Sequence, residues 1–315
     1  MVEKMNRYIL SAVGDKAAKQ LNIAIRFLKK FSKLNITTIS SRTNIKLNGD
    51  KNIVIDMPKE LNDLEGSRYI KTNLPMFLDK LEGLYCYIDN DVYVVSEDCD
   101  KIFEEYQSPI TFSDDYGQTV DDFSKGALYN GLLSKEIERK FKLKVNPDWR
   151  IYNSGVILFD STSIDFFKTW QKYELEIFKD SNWKKRDQGV LVAAVWKHKL
   201  QNNKRLSSRY NWLIRHTAKV GSKLKFKNRS FYHDNTKVHF LHFIHDKINE
   251  PYSYVKEYRY ALGLISKGNY ESFKNNLKIF TLITLKLFLH PRAFFADANR
   301  NIGERTKKLK KKYNI

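Results

Sequence analysis

The stretch Leu84 to Glu97, LYCYIDNDVYVVSE, constrains the fold more than any other, because two carboxylates lie inside what otherwise reads as buried strand. Leu84 to Ile88 and Val92 to Val95 are short runs of aromatic, β-branched and other apolar residues, so Asp89, Asn90 and Asp91 fall where a strand ends or bends. In extended chain a spacing of two turns Asp89 and Asp91 to the same face. There they are close enough to share one hard divalent cation, which takes oxygen ligands and can bridge a diphosphate. The same three residues also suit a polar turn between strands. A tight hairpin is disfavoured, since no Gly lies between Leu84 and Glu97.

A chain of 315 residues with 14% aromatic content can build one large α/β domain or two small ones around a real core. Met1 to Asn6 lack the charged-then-apolar pattern of a signal peptide, and no run of roughly 18 apolar residues offers a membrane span. A cytoplasmic protein is expected. Cys86 and Cys99 fit reduced packing residues better than a disulfide or a zinc pattern. The net charge of +20 calls for a polyanionic partner: nucleic acid, an acidic lipid surface or a phosphorylated substrate. From Lys286 onward nine Lys or Arg face only Asp297 and Glu304, and Thr306 to Tyr313, TKKLKKKY, is the densest part. Such charge beside Phe294 and Phe295 favours an anionic membrane face over nucleic acid, for which no binding motif is present. Leu277 to Leu289 is apolar but short and interrupted by Lys278 and Lys286, which suits packing or an interface.

Arg7 to Val13 reads as a first strand, Gly14-Asp15 as a turn, and Lys16 to Ser32 as an amphipathic helix with Leu21, Ala24, Ile25 and Leu28 on one side. Strands at Ile36 to Ser40 and Asn52 to Ile55 continue the alternation of a largely parallel sheet covered by helices. Ligands of such sheets bind at the carboxyl ends of strands. With the first and fourth strands as neighbours, Ala12 to Asp15 lie beside Asp89 to Asp91, and Asp15 becomes a candidate for the nucleoside. Ser67 to Leu81 predicts a helix despite Pro75, with Arg68 and Lys71 on one face, facing either phosphate or solvent. Ile110 to Phe112 predicts a strand and Asp114 to Asp122 an acidic loop able to shape an acceptor pocket.

Further on, Asn153-Ser154-Gly155 precedes a strand at Val156 to Phe159; Gly admits close approach, and Asn153 can bond a sugar hydroxyl. Thr162 to Phe178 predicts a helix. Arg186-Asp187-Gln188-Gly189 opens another over Val190 to Trp196, with Asp187 either capping it or serving chemistry. Lys237 to Phe243, KVHFLHF, predicts a strand with His239 and His242 on opposite faces, ahead of a loop from His245 to Pro251. Either imidazole can complete a cation site begun by two carboxylates.

In this order the motifs resemble the family 8 glycosyltransferases, including bacterial lipooligosaccharide galactosyltransferases, over roughly Arg7 to Tyr252. The resemblance implies an α/β fold of GT-A type, the nucleotide-diphospho-sugar transferase fold: a mixed, mostly parallel sheet flanked by helices. Residues 1–260 form the expected catalytic domain, and 261–315 a helical, basic extension that associates with a membrane surface. It implies Mn²⁺ or Mg²⁺ on Asp89, Asp91 and His242, with the His-Phe pattern matching His242-Phe243 better than His239-Phe240. Asp187 and Gln188 then lie beside the transferred sugar as catalytic groups. Ala12, Asp15, Arg68, Lys71, Asn90, Asn153 and Lys247 contact the donor. Where the family has a Gly and then Lys-Pro-Trp after the His, this chain has Ile244 to Tyr252, IHDKINEPY, an insertion that bears on Lys247.

The implied reaction moves a hexose from a nucleotide-sugar donor, a UDP-sugar by expectation, to a glycan or lipid-linked glycan acceptor of lipopolysaccharide or capsule type. Retention of configuration is implied by the resemblance alone. The expected location is the inner face of the cell membrane, peripherally attached, with no nucleic-acid partner. Competing readings are a non-catalytic sugar-nucleotide binder, a nucleic-acid binder, and a nucleotidyltransferase using the same carboxylates.

Overall fold

The computed structural model describes residues 5–213, 225–227, 230–233 and 235–243. Lys247 with its loop 245–251, and the basic segment 261–315, lie outside the described residues.

Strand β1 (Asn6–Val13) runs directly into helix α1 (Gly14–Phe31). Gly14 makes that corner at φ +77°, where a Cβ would come within 2.5 Å of the Asp63 carboxylate. Helix α1 buries Leu21, Ala24, Ile25 and Leu28, the expected face. Next come β2 (Ile36–Ser41) and β3 (Lys51–Val54). The helix expected over Ser67 to Leu81 instead starts earlier and stops sooner, as α2 (Asp63–Lys71). Its start is set by a reciprocal cap: the Asn62 side chain accepts from the backbone of Leu64 and Glu65, and the Glu65 carboxylate accepts from Asn62 N–H. Pro75 falls in a separate 3-10 turn, Leu74–Phe77, because its ring cannot continue the helix.

Strand β4 (Leu84–Ile88) is buried throughout, and past the acidic turn the chain leaves as β5 (Val92–Val94). The sequence expects a short strand and then a loop; β6 (Ile110–Thr119) instead carries pairing into the Asp114 to Asp122 segment through register shifts. Helices α3 (Ser124–Ala127) and α4 (Leu133–Phe141) lead to β7 (Arg150–Phe159), which takes in Asn153-Ser154-Gly155 rather than following it. Then follow α5 (Ile164–Phe178), α6 (Asp187–Lys197), β8 (Trp212–Leu213), β9 (Lys225–Lys227), β10 (Ser230–His233), β11 (Thr236–Val238) and β12 (Phe240–His242). The expected strand KVHFLHF is thus divided at His239.

The main sheet has the order β3-β2-β1-β4-β7-β6. Strands β3, β2, β1 and β4 are parallel, whereas β7 runs antiparallel to both β4 and β6, so the sheet is mixed. Alternation along β4 divides two cores. Leu84, Cys86 and Ile88 pack toward α1 and the small sheet β5-β12-β8, while Tyr85 and Tyr87 pack toward α5 and α6. Cys86 and Cys99 are buried and free, as expected. Among the described residues no helix is long and apolar enough to cross a membrane.

Candidate functional site

The acidic turn is not a hairpin, because its two strands belong to different sheets. Strand β4 pairs with β1 and β7, and the pairing continues one step further when Asp89 N–H donates to Gly155 C=O at 2.9 Å. Strand β5 peels away to pair antiparallel with β12. In that register His242 lies opposite Val92, and Phe243 N–H donates to Asp91 C=O at 2.8 Å. The result is a corner in which Asp89, Asp91 and His242 bring one ligand atom each within 4.8 Å of one another. His242 Nε2 lies 3.2 Å from Asp91 Oδ1. Two carboxylates and an imidazole form a donor set suited to Mn²⁺ or Mg²⁺, and these residues fit such an ion.

His239 takes no part in the corner. It stacks on Tyr210 with ring centroids 4.9 Å apart, and burial holds its pKa down to about 4. Burial also opposes a proton on His242, but the charge of Asp91 and its hydrogen bond outweigh it and raise the pKa.

Lys71, near the end of α2, ties this corner to α6. Its Nζ lies 2.8 Å from Asp89 Oδ1, 3.1 Å from Asp187 Oδ2 and 3.5 Å from Ser154 Oγ. The ring of Tyr87 lies beside it at 5.6 Å, and Tyr87 donates its hydroxyl to Asp89 at 2.8 Å. Burial alone lowers a lysine pKa; the Asp187 and Asp89 carboxylates more than reverse that and raise it. Asp89 itself is raised, by burial and by Asp91, against the pull of Lys71.

Asp187 is the first residue of α6 and caps nothing: the N-cap is Arg186, which makes no side-chain capping bond. Its carboxylate instead accepts from Ser154 Oγ at 2.7 Å and sits 3.8 Å from Arg68 Nε. Burial pushes its pKa up, but Lys71, Arg68 and Ser154 pull it to about 2, and the start of α6 favours the same negative charge. Gln188 donates its amide N–H to Asp115 at 2.8 Å. Arg68 and Lys71 thus face this buried cluster rather than solvent.

The other predicted residues are scattered around the corner. Ala12 is buried at the carboxyl end of β1, and Ser11 beside it shares a 3.2 Å hydrogen bond with Tyr87. Asp15 is exposed; its carboxylate accepts from Thr43 Oγ1 at 2.8 Å and from Asn44 N–H at 3.0 Å, and the Thr43 bond lowers its pKa. Asn90 is half-buried at the tip of the acidic turn. Asn153 is buried, and its Oδ1 accepts from Gly155 N–H and Asn211 Nδ2, both at 2.8 Å.

Four residues in this arrangement carried no role in the sequence: Tyr87, Asp115, Ser154 and Asn211. Tyr87, Asp115 and Ser154 lie in stretches the sequence marks out, the acidic strand, the acidic loop and Asn-Ser-Gly, but without a role of their own. Gly155 has a plain physical reason, since a Cβ there would stand 2.4 Å from His242 Cε1.

No protein-family model matches the chain, and no curated protein matches it in sequence. Among solved structures it is similar to the bifunctional glycosyltransferase WbbM in its apo form, with TM-score 0.55 and 12% identity over 90% of this chain and 52% of that one. The chain therefore spans about half the length of that structure. At this identity the likeness is one of fold: the mixed α/β sheet described above is an architecture that a glycosyltransferase also uses.

Proposed function

We propose that the chain is a metal-dependent glycosyltransferase of GT-A type, akin to family 8, that takes a hexose from a nucleotide-diphosphate sugar. The observation that carries the reading is the corner of Asp89, Asp91 and His242 at the carboxyl end of the sheet, joined through Lys71 to a buried, ionised Asp187. Asp89, Asp91 and His242 would hold the cation. When bound, such a cation neutralises the charge that develops on a diphosphate leaving group.

The chain's own groups supply the rest. Lys71 adds a positive charge between the corner and Asp187, and Arg68 Nε lies 3.8 Å from the same Asp187; both suit phosphate oxygens of a donor. Asp187, kept ionised, offers negative charge to an electron-poor sugar carbon. Its 2.7 Å bond to Ser154 and its contact with Lys71 hold it in place, which suits electrostatic support. Gln188, whose N–H is engaged by Asp115, keeps its carbonyl oxygen as the acceptor it would offer a donor sugar. Retention follows from the family likeness, and a UDP-sugar with a lipopolysaccharide- or capsule-type acceptor is the substrate pair we favour. The basic segment 261–315 supports attachment to the anionic inner face of the membrane.

Thermal stabilisation by UDP, GDP, CMP and dTDP, each with and without Mn²⁺, tests the proposal on wild type and Asp91→Asn. A ligand at a hundred times its dissociation constant adds about 2.7 kcal/mol. A shift with UDP that needs Mn²⁺ and disappears in Asp91→Asn is the expected result. The absence of any metal-dependent shift would sink the reading, and pyrophosphate release on turnover would identify a nucleotidyltransferase instead.

A further inference from the structure

Asn211, which precedes β8, is 1% exposed, and its side-chain amide is bonded at both ends. Nδ2 donates to Ser113 Oγ on β6 and to Asn153 Oδ1 on β7, and Oδ1 faces His242 Nδ1 at 2.9 Å. The direction of each bond can be deduced from the backbone outward. Gly155 N–H can only donate, so the Asn153 atom it meets at 2.8 Å is the amide oxygen. An oxygen only accepts, so Asn211 presents its nitrogen to Asn153. Ser113 agrees, since its hydroxyl proton is directed at Asn153 C=O at 3.3 Å and leaves a lone pair for the same Asn211 nitrogen. Asn211 therefore turns its oxygen to His242, and Nδ1 must carry the proton. Nε2, 3.2 Å from Asp91 Oδ1, is then the nitrogen whose lone pair a cation held at this corner would take, in place of the hydrogen bond to Asp91. Gly155 leaves room for the ring on this side, since a Cβ there would stand 2.4 Å from His242 Cε1 and 2.7 Å from Nδ1.

We infer that Asn211 is a positioning residue for the metal centre: it fixes the tautomer and orientation of His242 so that Nε2 faces Asp89 and Asp91. Ser113 and Asn153 are its supports, and the side-chain oxygen of Asn153 serves this network rather than a sugar. The inference rests on the reading of Asp89, Asp91 and His242 as a cation site. A partner that sets the tautomer of a ligating histidine typically contributes about 10- to 100-fold in metal affinity.

The test is Mn²⁺ affinity of the full chain, read from the electron paramagnetic resonance of free Mn²⁺, without turnover. Asn211→Leu should bind Mn²⁺ about 10- to 100-fold more weakly. Asn211→Asp still offers an oxygen to Nδ1 but gives up both donors, so its affinity should stay close to wild type while its thermal stability falls. A merely structural Asn211 predicts equal losses in both variants, and that result, or Asn211→Leu binding as wild type does, overturns the inference. Should Asn211→Leu fail to fold, ¹⁵N spectra of His242 in wild type saturated with Mg²⁺ decide the matter: a proton on Nδ1 supports it and one on Nε2 overturns it. Wild type that binds no Mn²⁺ overturns the cation site itself, a result distinct from both variant outcomes.

Discussion

Glu174 is the residue least at ease in this molecule. It is fully buried on α5, and neither carboxyl oxygen has a hydrogen-bond partner among the described residues. Burial, and then the charge of Asp187, raise its pKa well above 4.5, so the native protein holds it as a neutral acid. The sign follows from that. The native state keeps a proton that the unfolded state releases above 4.5, so this residue's contribution favours folding below that value and is lost as pH rises toward the native one. Glu174→Gln should therefore gain over wild type as pH rises, seen as diverging melting temperatures. Glu174→Leu, which removes the unpaired group, should be more stable at neutral pH by about 1 to 3 kcal/mol in urea titrations. Single residues differed greatly in how legible they were. Asp89 and Asp91 stood out because carboxylates inside a strand are costly without a task. Asn211 gives no signal, since a satisfied buried polar group has no local signature, and Asp115 shows only as one acid of an expected loop. The residues alone do not separate His242 from His239, and only the His-Phe resemblance favours His242, because the choice depends on pairing with β5, far away in sequence.

At the scale of elements, α2 is the piece on which the site's geometry turns, since it carries both Arg68 and Lys71. Its first turn is fixed by the cap between Asn62 and Glu65, and Glu65 also pairs with Lys185 just before α6. Asn62→Ala should cost about 1 kcal/mol, read as a lower urea midpoint with an unchanged slope. The opening alternation of β1, α1, β2 and β3 could be read from the sequence because each element carries its own periodicity. The start of α2 is also written in the sequence, as Asn-x-x-Glu from Asn62 to Glu65, yet the expected helix begins at Ser67 and runs through Pro75. The extent of β6 and β7 was less accessible. Polar Asp114 and Asn153 look like loop, yet they are tolerated in strand because Arg205 bonds the first and Asn211 the second. The division of KVHFLHF between two sheets has no local cause at all, and only the partners of β11 and β12 explain it.

For the whole molecule, the excess of 56 Lys and Arg over 36 Asp and Glu sets the long-range field. A protein so charged should bind anionic surfaces in a salt-dependent way. The full chain should float with vesicles containing phosphatidylserine at low salt and be released at high salt, whereas a form lacking residues 277–315 should stay behind. Equal flotation of both forms would remove the segment from the account. The corner of Asp89, Asp91 and His242 also has an order of arrival. His242 lies 151 residues beyond Asp91. At about 5 to 20 residues per second, the ribosome delivers the imidazole some 8 to 30 seconds after the carboxylates. Lys71, 18 residues ahead of Asp89, has already been made by then. Of the two groups whose positive charge Asp89 meets in the folded chain, Lys71 is made first, and the three candidate ligands come together only once β12 has been synthesised and joined to β5.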